Sequence, residues 1–554
     1  MAELSFSLTC PRPFSPATRR ENLDALASET FDILVIGGGI TGVAVARDAA
    51  LRGYRTALVE KRDFGFGTSS RSSRMIHGGL RYLENYEFGL VLECCNERRR
   101  LRKIAPRLVR PLPFLYPVYS DQKTGPIKLR LGLTLYDALG LFQNVQRHRW
   151  LDAEEARARE SILARPGLLG AARFYDARTD DARLTMLVAK AAHAAGAIVA
   201  NYAEVVGLRQ AGGKVQGAWV RDRITGRDIE VRARVVVNAT GVWVDSIRQQ
   251  DAHYKGITIR PTKGIHLVFW RERLPSHHAI AFDSPRDGRH AFLIPWGQHT
   301  IAGTTDTDYT GDLDHPAADR EDVAYMLEAL DHNFPDAHVS EADIVSTFAG
   351  LRPLIYAEGG TYSISREHQI YRSPSGLITV AGGKLTTHRL MAEQIVDLAA
   401  RVLAREHGVE AARPCSTRQA LPGAEVVGDG AAWMEDPDVR AHLLDTYGAD
   451  AAWIAAYVEE NPALGERIVP ELPYLMAEVL YAVQHEMALS LSDVLIRRTH
   501  VIYEVPDGGA DRARAVAELL APRLGWAAAD MERELGEYSR QVALTQAWRG
   551  GVGT

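Results

Sequence analysis

Gly37, Gly39 and Gly42 stand at GxGxxG spacing directly behind an apolar run, residues 33–36. A first glycine of such a set permits a tight turn, the second leaves bare backbone for a pyrophosphate, and the third lets a helix approach a strand. The chemistry this suits is the holding of a dinucleotide. A helix that opens on the turn aims its unpaired amides and the positive end of its dipole at the phosphates, so no basic side chain is needed. The elements required are a strand over 33–36 buried on both faces, a helix through 43–51 stopped near Gly53, and a second buried strand over 56–59. Glu60 follows at once. Its carboxylate, about 20 residues past the glycines, accepts from both ribose hydroxyls and repels a 2′-phosphate, favouring FAD or NAD over NADP.

Beyond Glu60 the hydroxyls of Thr68, Ser69, Ser70, Ser72 and Ser73 crowd beside glycines. They can bond phosphate oxygens and a flavin edge, although a plain serine-rich loop has the same composition. His77 precedes the pair Gly78 and Gly79, whose bare backbone suits the approach of a flat ring. A helix starting near Asp181 and ending near Gly196 is followed by strands, and "ARVVVNATG" reads as a buried strand running into Ala239, Thr240 and Gly241. Ligands of such folds gather at strand C-terminal ends. Residues 255–350 turn β-rich, as a separate sheet suited to a lid over the substrate. "GLITVAGGKLTTH" returns to strand, glycine turn and helix. It lacks the spacing of a phosphate-binding P-loop, and reads as a second dinucleotide contact with Thr386 or Thr387 capping the helix.

The chain has 554 residues, 46% of them hydrophobic, enough for two to four domains with sizeable cores. A net charge of -5 and a pI near 6.4 argue against nucleic-acid binding by the chain as a whole. Cys94 and Cys95 are adjacent while Cys10 and Cys415 stand apart, which is neither a disulfide framework nor a zinc spacing, and a reducing cytoplasm fits. No apolar run approaches the ~20 residues of a membrane span, so any membrane contact is expected to be peripheral. The stretch 98–142 interleaves Arg98, Arg99, Arg100, Arg102, Lys103, Arg107, Arg110, Lys128 and Arg130 with Leu, Phe and Tyr. Two readings stay open there: an anionic membrane surface, or solvated helix faces over ordinary core. Past residue 412 the pattern is helical, with Leu475, Val479 and Val483 at a spacing of four continuing into "HEMALSLSDVLIRRTHVIYE", where Arg497 and Arg498 could recognise anions but read rather as solvated or structural.

The segments "TSSRSSRMIHGGLRYLE", "NATGVWV", "KGIHLVF", "IPWGQHTIAGTTDTDY", "GLRPL", "AGGKLTT" and "HEMALSLSDVLIRRT" occur in this order over residues 30–505. In them the chain resembles FAD-dependent glycerol-3-phosphate dehydrogenases, departing at Val242 and Arg74, where proline and lysine are frequent. The resemblance implies hydride transfer from C2 of glycerol 3-phosphate to flavin N5, giving dihydroxyacetone phosphate, with the electrons passed to a membrane quinone. It implies His266, Arg352 and Lys384 at the reacting hydroxyl, with Lys384 also joining Arg81, Tyr82 and Arg366 in the grip on the phosphate. For the FAD it implies Gly37, Gly39, Ile40, Thr41, Gly42, Glu60, Lys61, Thr68, Ser69, Ser70, Ser73, His77, Gly78, Leu80, Ala239, Gly241, Gly383, Leu385 and Thr386. A neutral histidine is a natural base near pH 7, and an arginine stabilises a developing alkoxide.

The expected fold is α/β: a Rossmann-like FAD-binding domain with a β-rich substrate (cap) domain and a C-terminal α-helical domain. Residues 1–27 read as a leader, loosely ordered or packed on the surface. The FAD-binding domain is expected in three parts, 28–110, 176–254 and 351–411. Basic and apolar cap elements fill 111–175, the substrate sheet 255–350 and the helical domain 412–554. The resemblance implies a cytoplasmic protein, peripheral on the inner face of the membrane, and leaves homodimerisation open. An oxygen-reducing glycerol-3-phosphate oxidase, an amine or amino-acid oxidase of the same fold, and a non-catalytic flavin-binding protein remain as alternatives.

Overall fold

The computed structural model describes residues 13–122, 125–163, 166–253, 259–356, 368–410, 416–423 and 431–550. Two sheets carry the architecture. The nucleotide sheet holds β1 (Thr30–Ile36), β2 (Thr56–Val59), β7 (Ile198–Ala200), β8 (Ala203–Ala211), β9 (Lys214–Asp222), β10 (Asp228–Asn238), β17 (Gln369–Arg372) and β18 (Ile378–Ala381). Its order is β17-β18-β10-β1-β2-β7, with β18, β10, β1, β2 and β7 parallel and β8 and β9 forming an antiparallel meander on β10. Val35 lies between Val237 and Leu58 at the centre. Ile33, Leu34 and Val35 have no exposed surface, because helices cover the face of the sheet that α2 (Ile40–Leu51) packs on and α1 (Pro16–Ser28) adds to the other. Burial on both faces is why this strand reads as an unbroken apolar run.

The second sheet draws on more of the chain than residues 255–350. It comprises β3 (Met75–Ile76), β4 (Arg110–Tyr119), β5 (Arg149–Leu151), β6 (Leu168–Arg178), β11 (Ile259–Trp270), β12 (Ala279–Asp283), β13 (His290–Trp296), β14 (His299–Gly303), β15 (Thr307–Asp308) and β16 (Ile344–Ile355). The order is β15-β11-β14-β13-β12-β4-β6-β3, with β16 on β11 and β5 on β6. The ladder between β11 and β16 runs from Ile259 opposite Ile355 to Phe269 opposite Ile344. Arg352 therefore sits on this second sheet, although it is the second residue of the stretch expected to return to the FAD-binding domain.

Two other expectations change. The expected loose leader is, from Pro13 on, an integral element: Ser15 caps α1, Leu26 is fully buried, and Arg19 pairs with Asp222 at 2.5 Å. The apolar pattern after Val483 is not one continuous helix. Helix Met476–Glu486 ends at Met487, whose φ is +53°, and a π-helical turn over Asp493–Arg498 directs Arg497 and Arg498 inward. Both arginines are buried against the carboxylate of Asp63, Arg497 Nε at 2.5 Å and Arg498 Nη1 at 2.7 Å, so neither is solvated.

The basic stretch divides. In α3 (Phe88–Ile104) Arg98 is buried and paired with Asp176, and beyond the helix Arg107 donates to the Gly423 carbonyl at 2.8 Å. On α4 (Pro126–Leu139) Leu129, Leu133 and Tyr136 face the core, while Ile127 (77% exposed), Leu131 (67%) and Leu135 (40%) form a stripe in solvent beside exposed Lys128 and Arg130. The Asp63 cluster has a measurable consequence. Asp63→Ala leaves two buried guanidiniums without their shared partner and is expected to cost about 3–5 kcal/mol, read as a lower midpoint of thermal unfolding.

Candidate active site

The turn between β1 and α2 is built by close contact. Gly37 has φ +108°, in the region that favours glycine, and a Cβ there would lie 2.7 Å from the Ala239 carbonyl oxygen. A Cβ on Gly42 would lie 1.9 Å from the Gly37 carbonyl oxygen, so only glycine lets the first helical turn sit on the loop. The Ile40 amide at the start of α2 donates to Ser69 Oγ at 2.9 Å, which joins the hydroxyl-rich segment to the helix end. Glu60 Oε2 accepts from the Gly38 amide (2.6 Å) and Oε1 from the Arg62 amide (2.9 Å). Burial raises its carboxyl pKa above the ordinary value, against the opposing pull of these amides and Lys61. These groups line a cavity of about 430 Å³, in which Gly37, Gly39, Ile40, Thr41, Glu60, Lys61, Thr68, Ser69, Ala239 and Gly241 are joined by Gly382, Gly383, Lys384 and Leu385. Lys61 pairs with Asp314 at 2.5 Å and stands 4.1 Å over the Trp243 ring.

A second cavity, about 610 Å³, shares Thr68, Ser72, Pro353, Gly382, Gly383, Lys384 and Leu385 with the first, so the two adjoin along these residues. Ser73, Arg81, Tyr82, His266, Arg352 and Lys384 line it. Strand pairing explains the convergence. His266 of β11 lies opposite Phe348 of β16, and Arg352, four residues beyond Phe348, projects to the same face. The imidazole stacks on Phe348 with centroids 4.6 Å apart and an interplanar angle of 13°, and its Nε2 is 2.8 Å from Ser73 Oγ. Burial, with Arg352 and Arg74 adding repulsion, pushes its pKa down to about 3, so the ring is neutral at pH 7. Arg352 donates to Asp306 Oδ1 (3.1 Å), Thr304 Oγ1 (3.1 Å) and the Thr305 carbonyl (3.0 Å). A Cβ on Gly264 would strike its guanidinium at 2.4 Å. Lys384 Nζ stands 4.5 Å over the Tyr82 ring.

Other expected contacts sit differently. Ser70 is buried and lines neither cavity, and Gly78 is spent on packing, its amide donating to Asp176 Oδ1 at 2.8 Å. Ser73, His77 and Leu80 line the larger cavity and not the nucleotide one. Gly42 acts through packing. Neither threonine caps the helix His388–His407 by its side chain: Thr387 occupies the cap position without such a bond, and Thr386 donates to the His77 carbonyl at 3.3 Å. Arg366 lies outside the described residues. Sequence reasoning missed Arg71, Arg289 and His290, which also line the larger cavity. Burial would depress His290, but Asp283 at 2.5 Å and Glu84 at 3.4 Å outweigh it and hold the imidazole up at about 9. No local pattern marks a histidine whose carboxylate partners come from other segments.

A family model described as FAD dependent oxidoreductase matches residues 32–398, and one described as the C-terminal domain of alpha-glycerophosphate oxidase matches residues 415–531. The chain is 42% identical over 545 residues to glycerol-3-phosphate dehydrogenase 2 of Mycobacterium bovis, covering 96% of this chain and 92% of that protein. It is 37% identical to the aerobic glycerol-3-phosphate dehydrogenase of Bacillus subtilis, covering 93% and 95%. The solved glycerol-3-phosphate dehydrogenase of Bacillus halodurans complexed with FAD aligns with TM-score 0.81 and 31% identity over 98% of this chain and all of that one. FAD is the cofactor, and the bare glycine turn, the buried Glu60 and the cavity adjoining the second chamber fit it. Gly42→Ala is expected to displace α2 from the turn and yield protein with little FAD, measured by the ratio of flavin to protein absorbance after purification. On the reach of these matches, the chain belongs to the family of FAD-dependent glycerol-3-phosphate dehydrogenases.

Proposed function

We propose that this protein oxidises sn-glycerol 3-phosphate to dihydroxyacetone phosphate and delivers the electrons to a membrane quinone. The observation that carries the reading is the meeting of Arg352 and Lys384 with the neutral pair His266 and Ser73, in a chamber that adjoins the nucleotide cavity. Bound FAD supplies the hydride acceptor. The chain supplies the rest: a phosphate dianion calls for several cations, and Arg81, Arg71 and Lys384 line the chamber together with Tyr82. Arg352, fixed by Asp306 and the Thr304 hydroxyl, would donate to the C2 oxygen of a substrate held in the chamber and stabilise negative charge developing there. An amine or amino-acid oxidase would need no such density of cations.

The outer wall of the same chamber favours a lipophilic acceptor. Leu80, Leu83, Phe88, Phe114, Leu129 and Leu135 line it, and Phe88 and Leu135 also reach the surface. There they adjoin the solvent-facing stripe of α4 and its cations, a composition suited to an anionic bilayer. No helix among the described residues is long and apolar enough to cross a membrane, so the proposed contact is peripheral.

Anaerobic glycerol 3-phosphate is expected to bleach the oxidised flavin band, with no bleaching by glycerol or amino acids; a protein that holds FAD and stays yellow would sink the reading. Arg352→Ala and Lys384→Ala are each expected to lower kcat/KM by on the order of 100-fold or more with FAD retained. Oxygen uptake without added quinone would identify oxygen as the acceptor instead. Ile127→Asp combined with Leu131→Asp is expected to abolish co-sedimentation with anionic liposomes at low salt while leaving the bleaching intact.

A further inference from the structure

His266 is clamped. Phe348 stacks on one face of the ring, and against the other lies Gly303, where a Cβ would come within 2.4 Å of the ring Cδ2. The residue is 2% exposed. Its hydrogen bonding is equally restricted: Nε2 meets Ser73 Oγ at 2.8 Å, whereas Nδ1 is buried with no partner among the described residues.

The neutral ring carries one proton, on one nitrogen or the other. On Nδ1 it would be a buried donor without an acceptor, which folded proteins tolerate less well than an under-used acceptor. On Nε2 it is satisfied by Ser73 Oγ. The second arrangement costs less, and it turns the ring nitrogen nearest the chamber into a donor with no lone pair to offer. Ser73 Oγ then accepts, and its own hydroxyl proton is left to point elsewhere. Ser73 is half-buried and lines the chamber with Arg352 and Lys384, so that proton has the chamber to point into.

The surrounding charges act in the same direction. Arg352 on β16 and Arg74, next in sequence to Ser73, both repel an imidazolium, and burial adds to them. A ring so placed does not readily gain a second proton.

We propose that His266 is a positioning residue and not the proton acceptor: its Nε2–H fixes Ser73 Oγ so that the serine hydroxyl donates to a hydroxyl oxygen of the bound polyol phosphate. This rests on the reading of the larger cavity as the substrate chamber. Ser73 is then a substrate-binding residue, where its place in the serine-rich segment had suggested the cofactor.

The test uses FAD-loaded wild type, Ser73→Ala, Ser73→Thr and His266→Gln. Dihydroxyacetone phosphate is titrated against the flavin band to give an equilibrium binding constant, and anaerobic reduction by glycerol 3-phosphate is followed from about pH 5 to 9. Loss of one neutral hydrogen bond is expected to weaken binding about tenfold in Ser73→Ala, with Ser73→Thr restoring most of it. His266→Gln keeps an N–H donor and is expected to reduce within about tenfold of the wild-type rate, with an unshifted pH profile. A fall of about 1000-fold in His266→Gln beside a normal Ser73→Ala would overturn the proposal and make His266 the base. Unchanged binding in Ser73→Ala overturns it however His266→Gln behaves. A wild-type holoenzyme that glycerol 3-phosphate does not reduce overturns the substrate reading beneath it, a result distinct from either variant's.

Discussion

One carboxylate, that of Asp63, fixes the helical C-terminal region to the loop that leaves the nucleotide sheet. Burial alone would raise its pKa, but Arg498 and Arg497 outweigh that and hold it below the usual carboxylate range. The charges continue in alternation: Arg497 also meets Asp493 at 2.5 Å, and Glu486 lies between Arg498 and Arg183. Alternating sign and hydrogen bonds to each neighbour are what make burial of so many ions tolerable. Asp63 lies three residues past Glu60, so the same node fixes the base of the loop that carries Glu60, Lys61 and, further on, Thr68 and Ser69. The geometry around the cofactor thus depends on helices far from it in sequence.

What could be read in the sequence is what local periodicity and backbone demands encode. The run over β1, the glycines, the start of α2 and the place of Glu60 all follow from a strand buried on two faces and a turn with no room for side chains. The origin of each wall of the larger chamber was less legible. Arg352 belongs to the substrate sheet because β16 pairs with β11 along its whole length, and strand partners distant in sequence leave no periodic trace. Ser73 reads as one hydroxyl among five until it is seen against His266. The basic stretch misled in part because composition does not say which arginines have carboxylates waiting: Arg98 finds Asp176 in the core, while the cations of α4 stay in solvent.

The chamber lining is mixed in polarity: Arg352, Lys384, Ser73 and His266 line it with the glycine turn Gly382 and Gly383, and Leu80, Phe88 and Leu135 line it as well. His290, held cationic by Asp283 and Glu84, ties the segment behind Leu83 to β13.

The interleaving of the nucleotide sheet bears on how the chain can be made. β1 lies between β2, which follows it closely, and β10, and β10 in turn needs β18. At synthesis rates of ~5–20 residues per second, β1 leaves the ribosome tens of seconds before β18 exists. Until β10 follows, an apolar strand meant for burial on both faces has one neighbour, β2, and until β18 follows β10 itself has an unpaired edge. Its sheet closes only through contacts of long sequence separation, the slow kind. Cotranslational folding of this protein is therefore a problem of holding an unfinished sheet, first until β10 flanks β1 and then until β18 closes the other edge of β10.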